Sequence, residues 1–180
     1  MSAEKSFVFK ILVGGSGGVG KTTLLHRFVF HEFFEDTSMT IGAQIHSMNL
    51  ERNGCNVSLA FWDLAGQDRF RFILPNYCNG AHGGFVLFDM SRYDTIVEMA
   101  EWIKMFKQNA PNGTPIMAVG TKFDIIDPSQ VETIDQLTAR IVAENQLVGH
   151  SLTSAKFDLN IDETIYFMID WLISLQPSDS

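Results

Sequence analysis

Apolar residues along this chain fall into two alternating patterns. Short, mostly apolar runs of the kind found in buried strands occupy residues 7–13, 43–50, 56–63, 84–89, 116–120 and 149–153. Residues 23–29, 93–107, 131–145 and 161–175 instead space their apolar positions as amphipathic helices do. The pair Asn53-Gly54 separates the second and third strands and favours a tight hairpin. The alternation predicts an α/β fold, in which a doubly wound, mostly parallel sheet of six strands has one antiparallel edge strand and helices on both faces.

Two finer predictions concern which side chains are buried. In the helix at 93–107, the core-facing positions are predicted to be Ile96, Val97, Ala100, Ile103 and Phe106. The five histidines are scattered along the chain and are interpreted as surface or boundary residues without a catalytic role: His26, His31, His46, His82 and His150.

The length and composition are those of one globular domain. The chain has 180 residues, of which 46% are hydrophobic and 19% charged, and this is enough for a sizeable core. We predict an N-terminal extension at residues 1–6, one domain at residues 7–175 and a C-terminal tail at residues 176–180. The formal net charge of −8 argues against nucleic acid as a partner, because that binding depends on basic contacts to phosphate. Two cysteines, Cys55 and Cys78, indicate a reducing compartment and no disulfide scaffold.

Residues 15–22 carry the most specific chemical signal. They read Gly15-Ser16-Gly17-Gly18-Val19-Gly20-Lys21-Thr22, which matches the phosphate-binding pattern G-x-x-x-x-G-K-S/T. A predicted strand precedes this P-loop and a predicted helix, beginning near Thr23, follows it, as the motif requires. The glycines allow backbone N–H groups to approach phosphate oxygens, and the helix N-terminus adds a favourable partial charge. The sequence therefore predicts a nucleotide site, with Lys21 on the phosphates and the Thr22 hydroxyl on Mg²⁺.

Three later motifs accompany the P-loop. They are Asp63-Leu64-Ala65-Gly66-Gln67, Thr121-Lys122-Phe123-Asp124 and Ser154-Ala155-Lys156. Each lies at the C-terminal end of a predicted strand, and ligands of open α/β sheets bind outside those ends. We therefore expect all four motifs to surround one nucleotide.

With these motifs, the chain resembles the Ras superfamily of small GTPases, and most closely its Rab-like branch, over roughly residues 7–175. Thr40-Ile41-Gly42 is similar to the first switch, and residues 62–71, W-D-L-A-G-Q-D-R-F-R, are similar to the Rab second switch. Thr121 stands where most members carry asparagine, although the Rho branch also uses T-K-x-D. A Rho assignment would require an additional helix after that motif, and residues 125–153 have room for one ordinary helix only. The resemblance implies a P-loop NTPase G domain that binds GTP and GDP with Mg²⁺.

The resemblance also implies a role for each matching residue. The implied phosphate-binding set is Gly15, Ser16, Gly17, Gly18, Val19, Gly20, Lys21, Thr22, Thr23, Thr40 and Gly66. The implied Mg²⁺ ligands are Thr22, Thr40 and, through a water, Asp63. The implied catalytic set is Gln67, which would orient the attacking water, with Lys21, Thr40 and Gly66. The implied guanine-binding set is Phe33, Thr121, Lys122, Asp124, Ser154, Ala155 and Lys156.

Some of these roles can be argued from chemistry. The Asp124 carboxylate can accept two hydrogen bonds from guanine N1–H and the exocyclic amine, whereas adenine offers no such pair of donors. The resemblance implies Phe33 rather than Phe34 as the ring on the base, because its spacing from Lys21 matches the family, and the other phenylalanine is expected in the core. A side chain at Gly17 is expected to crowd Gln67 or an incoming arginine.

The arginines bear on the rate of hydrolysis. No arginine lies between Phe33 and Thr40, so hydrolysis is expected to be slow until an activating partner supplies the missing charge. Arg69 and Arg71 are expected to face effectors or solvent.

Three functions remain open at this point. The first is a GTP-hydrolysing molecular switch in membrane traffic or signalling. The second is a GTP-binding module of the same fold with little or no hydrolysis. The third is an ATP-dependent P-loop enzyme such as a small kinase.

The function as a GTP-hydrolysing switch predicts the partners and the location of the protein. Effectors, a GTPase-activating protein and an exchange factor are expected at the switch segments, residues 41–47 and 70–77. The chain shows no signal peptide, no apolar stretch long enough to span a membrane and no cysteine near its last residue. We expect a cytoplasmic protein, with membrane association only through a lipidated tail beyond this sequence.

Overall fold

The computed structural model describes residues 5–35 and 38–177. Its strands are β1 (Lys5–Gly14), β2 (Ala43–Arg52), β3 (Cys55–Leu64), β4 (Gly83–Asp89), β5 (Ile116–Thr121) and β6 (Gly149–Leu152). Its α-helices are α1 (Lys21–Phe30), α2 (Leu74–Tyr77), α3 (Tyr93–Asn109), α4 (Val131–Glu144) and α5 (Ile161–Ser174). The predicted N-terminal extension and C-terminal tail fall mostly on residues 1–4 and 178–180, outside the described residues, and Lys5 already belongs to β1.

The six strands form one sheet in the order β2-β3-β1-β4-β5-β6. All neighbouring strands are parallel except β2, which pairs antiparallel with β3 at the edge. Asn53 and Gly54 both have left-handed backbones, with φ of 53° and 71°, so the turn between these strands is tight. The predicted α/β fold with one antiparallel edge strand is confirmed.

Both faces of the sheet are buried under helices. On β1, Ile11 and Val13 point to a core formed with α1 and α5, whereas Leu12 points to a core formed with α2, α3 and α4. This alternation explains why the central strands are apolar at successive positions. The arrangement confirms the predicted placement of helices on both faces.

The core-facing side of α3 differs from the prediction. Val97 is 59% exposed and Ala100 is also exposed, whereas Met99 and Trp102 are buried against the sheet. Met99 and Trp102 have larger apolar surfaces than Val97 and Ala100, so burying them removes more apolar surface from water. The predicted positions Ile96, Ile103 and Phe106 are buried.

His46 is also buried, and its interpretation as a surface or boundary residue is wrong. It is 6% exposed and lies on the face of β2 that Met48 and Leu50 turn toward the α1 core. Its ring packs edge-on against His26 of α1, with ring centroids 5.3 Å apart. Because α1 covers this face of β2, His46 is buried although β2 is an edge strand.

The far end of the β2–β3 hairpin is attached to α5. Arg52 donates two hydrogen bonds to the carboxylate of Asp170, at 2.8 and 2.7 Å, and Asn53 donates a third at 2.9 Å. Bidentate pairing of this kind fixes both partners in orientation as well as distance.

The region between β5 and β6 contains one α-helix, α4, preceded by two short 3₁₀ helices at Phe123–Ile125 and Pro128–Gln130. This agrees with the expected single helix. Within the described residues, no helix combines the length and the hydrophobicity that crossing a membrane requires.

Candidate nucleotide-binding site

The P-loop connects β1 to α1 and surrounds its own lysine. Lys21 is buried, and its ammonium donates to the carbonyl oxygens of Gly15 and Ser16 at 2.7 and 3.0 Å. The pKa of Lys21 is lowered to about 8, chiefly by burial; the Asp63 carboxylate opposes this change and the Arg92 guanidinium adds to it. A phosphate in the adjoining cavity would favour the charged form of this lysine.

Three oxygen atoms converge beside the start of α1. The Thr22 hydroxyl donates to Asp63 Oδ2 at 2.5 Å, and the Thr40 hydroxyl lies 3.3 Å from Thr22 Oγ1 and 3.4 Å from Asp63 Oδ2. Asp63 Oδ1 is buried without a hydrogen-bond partner among the described residues. Burial raises the pKa of Asp63, although the Thr22 hydrogen bond and the Lys21 charge act in the opposite direction. Hydroxyl and carboxylate oxygens are the ligands that Mg²⁺ prefers, so this donor set fits that ion.

The segment after β3 lies directly against the P-loop. A Cβ atom built on Gly66 would be 2.5 Å from the backbone nitrogen of Gly17 and 2.6 Å from Lys21 Nζ. No side chain fits at that distance, so the contact explains the glycine. The amide of Gln67, the next residue, contacts the sulfur of Met39 from the first switch.

Gly17 behaves differently from the prediction. A Cβ atom on Gly17 would meet Gln67 Cγ at 3.9 Å, which is an ordinary van der Waals contact. For alanine in this conformation, the expected crowding of Gln67 is therefore wrong, and crowding of an incoming arginine stays a prediction.

A cavity of about 350 Å³ opens between the P-loop and the two switches. The residues lining it are Gly17, Gly18, Gly20, Lys21, Thr22, Ser38, Met39, Thr40, Gly66 and Gln67. The fold thus brings the P-loop, the first switch and the D-x-x-G motif together. Thr23 lies outside this lining and contributes to a second cavity.

The second cavity, of about 150 Å³, shares Gly20 with the first and is lined by residues of the other two motifs. Among the residues lining it are Thr23, Phe33, Phe34, Thr121, Lys122, Asp124, Ala155 and Lys156. Asp124 Oδ1 accepts a hydrogen bond from the Ser154 hydroxyl at 2.6 Å, so the carboxylate is held in a defined orientation.

Phe33 and Phe34 both line this second cavity. Phe33 is half-buried, with the Arg27 guanidinium 5.9 Å from its ring centroid, and Phe34 is 44% exposed. The expectation that one of the two belongs to the core is wrong, because this loop lies on the surface beyond the end of α1.

Thr121 and Lys122 attach the base motif to the P-loop. The Thr121 hydroxyl lies 2.5 Å from the Val19 carbonyl oxygen and 3.0 Å from that of Phe88. A hydroxyl has one hydrogen, so it donates to one of these oxygens at a time. Lys122 Nζ donates to the Gly18 carbonyl oxygen at 2.9 Å. The Thr121 hydroxyl thus links the T-K-F-D motif to the P-loop.

Two arginines near the site escaped the sequence analysis. Arg27 of α1 donates to the carbonyl oxygens of Ala155 at 2.7 Å and Lys156 at 3.3 Å. These hydrogen bonds attach the S-A-K loop to α1. Arg92, just before α3, donates to the Gly17 carbonyl oxygen at 2.8 Å. Neither belongs to a motif, so only the fold reveals their positions.

Arg71 is partly exposed, with 34% of its side chain accessible, and also forms two ion pairs. Its guanidinium pairs with Glu101 of α3 and lies 2.9 Å from Asp68, so it attaches the second switch to α3. Arg69 stacks over the ring of Phe70, 4.8 Å from its centroid.

Comparison with known proteins decides the family. The model of the Ras family matches residues 10–173 of this chain. The chain belongs to the Ras family. Members are small GTPases that bind guanine nucleotides, generally with Mg²⁺.

Similar Ras-family proteins cover most of the chain. The GTP-binding protein ypt1 of Schizosaccharomyces pombe is 33% identical over 168 residues, which are 93% of this chain and 81% of that protein. The Ras-related protein RABA3 of Arabidopsis thaliana is 33% identical over 97% of this chain and 73% of its own length. The Ras-related protein Rab-25 of Homo sapiens is 34% identical over 98% of this chain and 83% of its own length. These similarities support the Rab-like assignment within the Ras family.

Proposed function

We propose that this protein is a GTP-hydrolysing molecular switch that cycles between GTP- and GDP-bound states in membrane traffic or signalling. The observation that supports this best is that four motifs distant in sequence line two cavities that share Gly20. The larger cavity offers a buried lysine and P-loop backbone to phosphates, and the smaller one offers a fixed carboxylate to a base. A relative named as a GTP-binding protein supports the same assignment.

The guanine base would lie in the smaller cavity. The Asp124 carboxylate would accept from guanine N1–H and the exocyclic amine, and the Ala155 N–H would donate to the guanine carbonyl oxygen. Phe33 would cover the base, and the Lys122 stem would lie along it. Ser154 supports this arrangement through its hydrogen bond to Asp124.

Mg²⁺ would be held by the hydroxyls of Thr22 and Thr40 and, through a water, by Asp63. The short distances among these oxygens and the unpartnered Asp63 Oδ1 support this ligand set. When bound, the ion supplies positive charge to the β- and γ-phosphate oxygens.

Hydrolysis would depend on a small number of side chains. Lys21 would neutralise charge on the phosphates, and Gly66 and Thr40 would contact the γ-phosphate. Gln67 would orient the attacking water. The first and second switches would order around the γ-phosphate and relax after its release.

Regulators and effectors would bind the two switch segments, residues 41–47 and 70–77. Ile41 and Ile45 of the first segment are 75% and 51% exposed, and Phe72 of the second is 79% exposed. Exposed apolar side chains mark a protein-binding surface when they form one patch, and these three would contribute to such a patch.

Nucleotide competition and single-turnover hydrolysis test the proposal. We expect GTP and GDP to displace a fluorescent GDP analogue and ATP to fail, and bound GTP to be hydrolysed slowly. Equal competition by ATP would indicate an ATP-dependent P-loop enzyme. Tight GTP binding without hydrolysis, even with an arginine-supplying partner, would indicate a binding module.

Thr22→Asn is expected to weaken Mg²⁺ coordination and to lower the affinity for GTP more than that for GDP. The reason is that only GTP offers a γ-phosphate oxygen to the ion that Thr22 would hold. Titration of both nucleotides with and without EDTA measures the difference. Thr133→Asn, an exposed change on α4, serves as the control. Equal losses of affinity for GDP and GTP would mean that Thr22 does not bind the proposed Mg²⁺.

Gly66→Ala is expected to slow single-turnover hydrolysis at least tenfold. The added Cβ would lie 2.5 Å from Gly17 N, so the segment carrying Gln67 must move away from the P-loop. Misplacement of a catalytic group by about 1 Å can cost roughly a hundredfold in rate. Gly149→Ala is the control, because its Cβ would meet only Phe167, at 3.9 Å. Unchanged hydrolysis in Gly66→Ala would show that this contact does not matter in the GTP-bound state.

A further inference from the structure

Arg92 reaches the P-loop from the start of α3, 75 residues away in sequence. Its Nη2 donates to the Gly17 carbonyl oxygen at 2.8 Å, and its Nε donates to Asp89 Oδ2 at 3.2 Å. A Cβ atom on Gly18 would lie 3.7 Å from the same Nη2. The guanidinium therefore lies against the middle of the loop.

Asp89 holds this arginine in place. The carboxylate is 1% exposed, forms an ion pair with Lys122 at 2.7 Å and accepts from the Ser91 backbone and hydroxyl at 2.9 and 2.6 Å. Burial raises the pKa of Asp89, but the bonds from Lys122 and Ser91 outweigh this and lower it overall. The ionised Asp89 carboxylate thus pairs with both Arg92 and Lys122. These two side chains donate to successive P-loop carbonyl oxygens, those of Gly17 and Gly18.

The direction of a carbonyl fixes the direction of the next N–H. In a trans peptide the two bonds point opposite ways, and the described residues contain no cis peptide. Gly17 and Gly18 line the phosphate cavity, whereas Arg92 is absent from that lining. The Gly17 carbonyl points to Arg92, outside that lining, so the Gly18 N–H points to the opposite side of the peptide.

We propose that Arg92 is a positioning residue of the phosphate site, which holds the Gly18 N–H toward the phosphates of a bound nucleotide. The inference rests on the proposed binding of GTP and GDP. Lys122 acts in the same way on the next peptide and belongs to the T-K-F-D motif, whereas no motif contains Arg92. Arg92 also adds positive charge near Lys21.

Arg92→Ala is expected to weaken GTP and GDP binding about tenfold, equivalent to about 1.4 kcal/mol. Binding of guanosine, which has no phosphate, should change less than about twofold. Arg92→Lys should give an intermediate loss, because lysine keeps the charge but not the paired donors of the guanidinium. Arg140→Ala is the matched control, since Arg140 is an exposed arginine on α4 that pairs only with Glu144 in the contacts described.

Affinities would be measured by fluorescence competition for the nucleotides and by calorimetry for guanosine. Circular dichroism would confirm that each variant folds, and alanine keeps the Arg92 carbonyl to which Thr95 donates at the start of α3. If the wild type binds GTP and Arg92→Ala binds it equally well, the inference is overturned and the proposed function stands. Equal losses for guanosine, GDP and GTP would also overturn it, because they would indicate general damage to the pocket. A wild type that binds neither GTP nor GDP overturns the proposed function and this inference together.

Discussion

Asp124→Asn is expected to weaken GTP binding by about 1–3 kcal/mol and, at the same time, to strengthen XTP binding. Xanthine carries a carbonyl where guanine carries its exocyclic amine, so a carboxylate repels it and an amide donor does not. The structure supports a clean exchange of this kind. Ser154 donates to Asp124 Oδ1, and an asparagine oxygen can accept the same bond while its amide nitrogen faces the base.

Fluorescence competition with GTP and XTP on both proteins measures the two effects. Asp127→Asn is the matched control, because Asp127 is an exposed carboxylate that caps Ser129 outside both cavities. Both effects must be seen together, since they arise from one exchange of an acceptor for a donor. If the variant binds GTP more weakly but XTP no more tightly, Asp124 is not the residue that recognises the base.

Gln67→Leu is expected to leave GTP binding nearly intact and to slow single-turnover hydrolysis at least tenfold. Leucine fills a similar volume but can neither donate to nor accept from a water beside the γ-phosphate. Gln67 lines the larger cavity next to Thr40 and Gly66, so its amide needs only a side-chain rotation away from Met39 to face that region.

Rapid quench measurements with bound GTP would give the rate of the chemical step directly. Gln136→Leu, an exposed change on α4, controls for the substitution itself. Wild-type hydrolysis in Gln67→Leu would mean that another group positions the water, and the mechanism proposed for this site would be wrong.

Local sequence patterns were sufficient to predict the sheet and the position of each motif. The P-loop glycines, the Asn53-Gly54 turn and the apolar strands each carry a signal within a few residues. The carboxyl ends of parallel strands meet at one edge of the sheet, so motif order along the chain was enough to place them around one site. The family comparisons confirm the resemblance from which the roles were inferred.

Contacts between distant residues could not be predicted in this way. Arg27 supports Ala155 across 128 residues, and Arg92 supports Gly17 across 75. Neither arginine differs in its local sequence from an exposed one such as Arg140. The burial of His46 likewise depends on α1 packing over β2, and periodicity within β2 does not reveal which helix lies above it.

The attachment of the β2–β3 turn to α5 limits which part of the first switch can move. Arg52 and Asn53 hold one end of β2 to Asp170, and continuous pairing with β3 runs from there to Ala43. A sliding displacement of β2 as a whole would break both the pairing and the ion pair. In the proposed switch, structural differences between the GTP- and GDP-bound states would therefore lie before Ala43, near Thr40. A partner that distinguishes these two proposed states would contact that short segment or the second switch, because the later half of β2 would present the same surface in both.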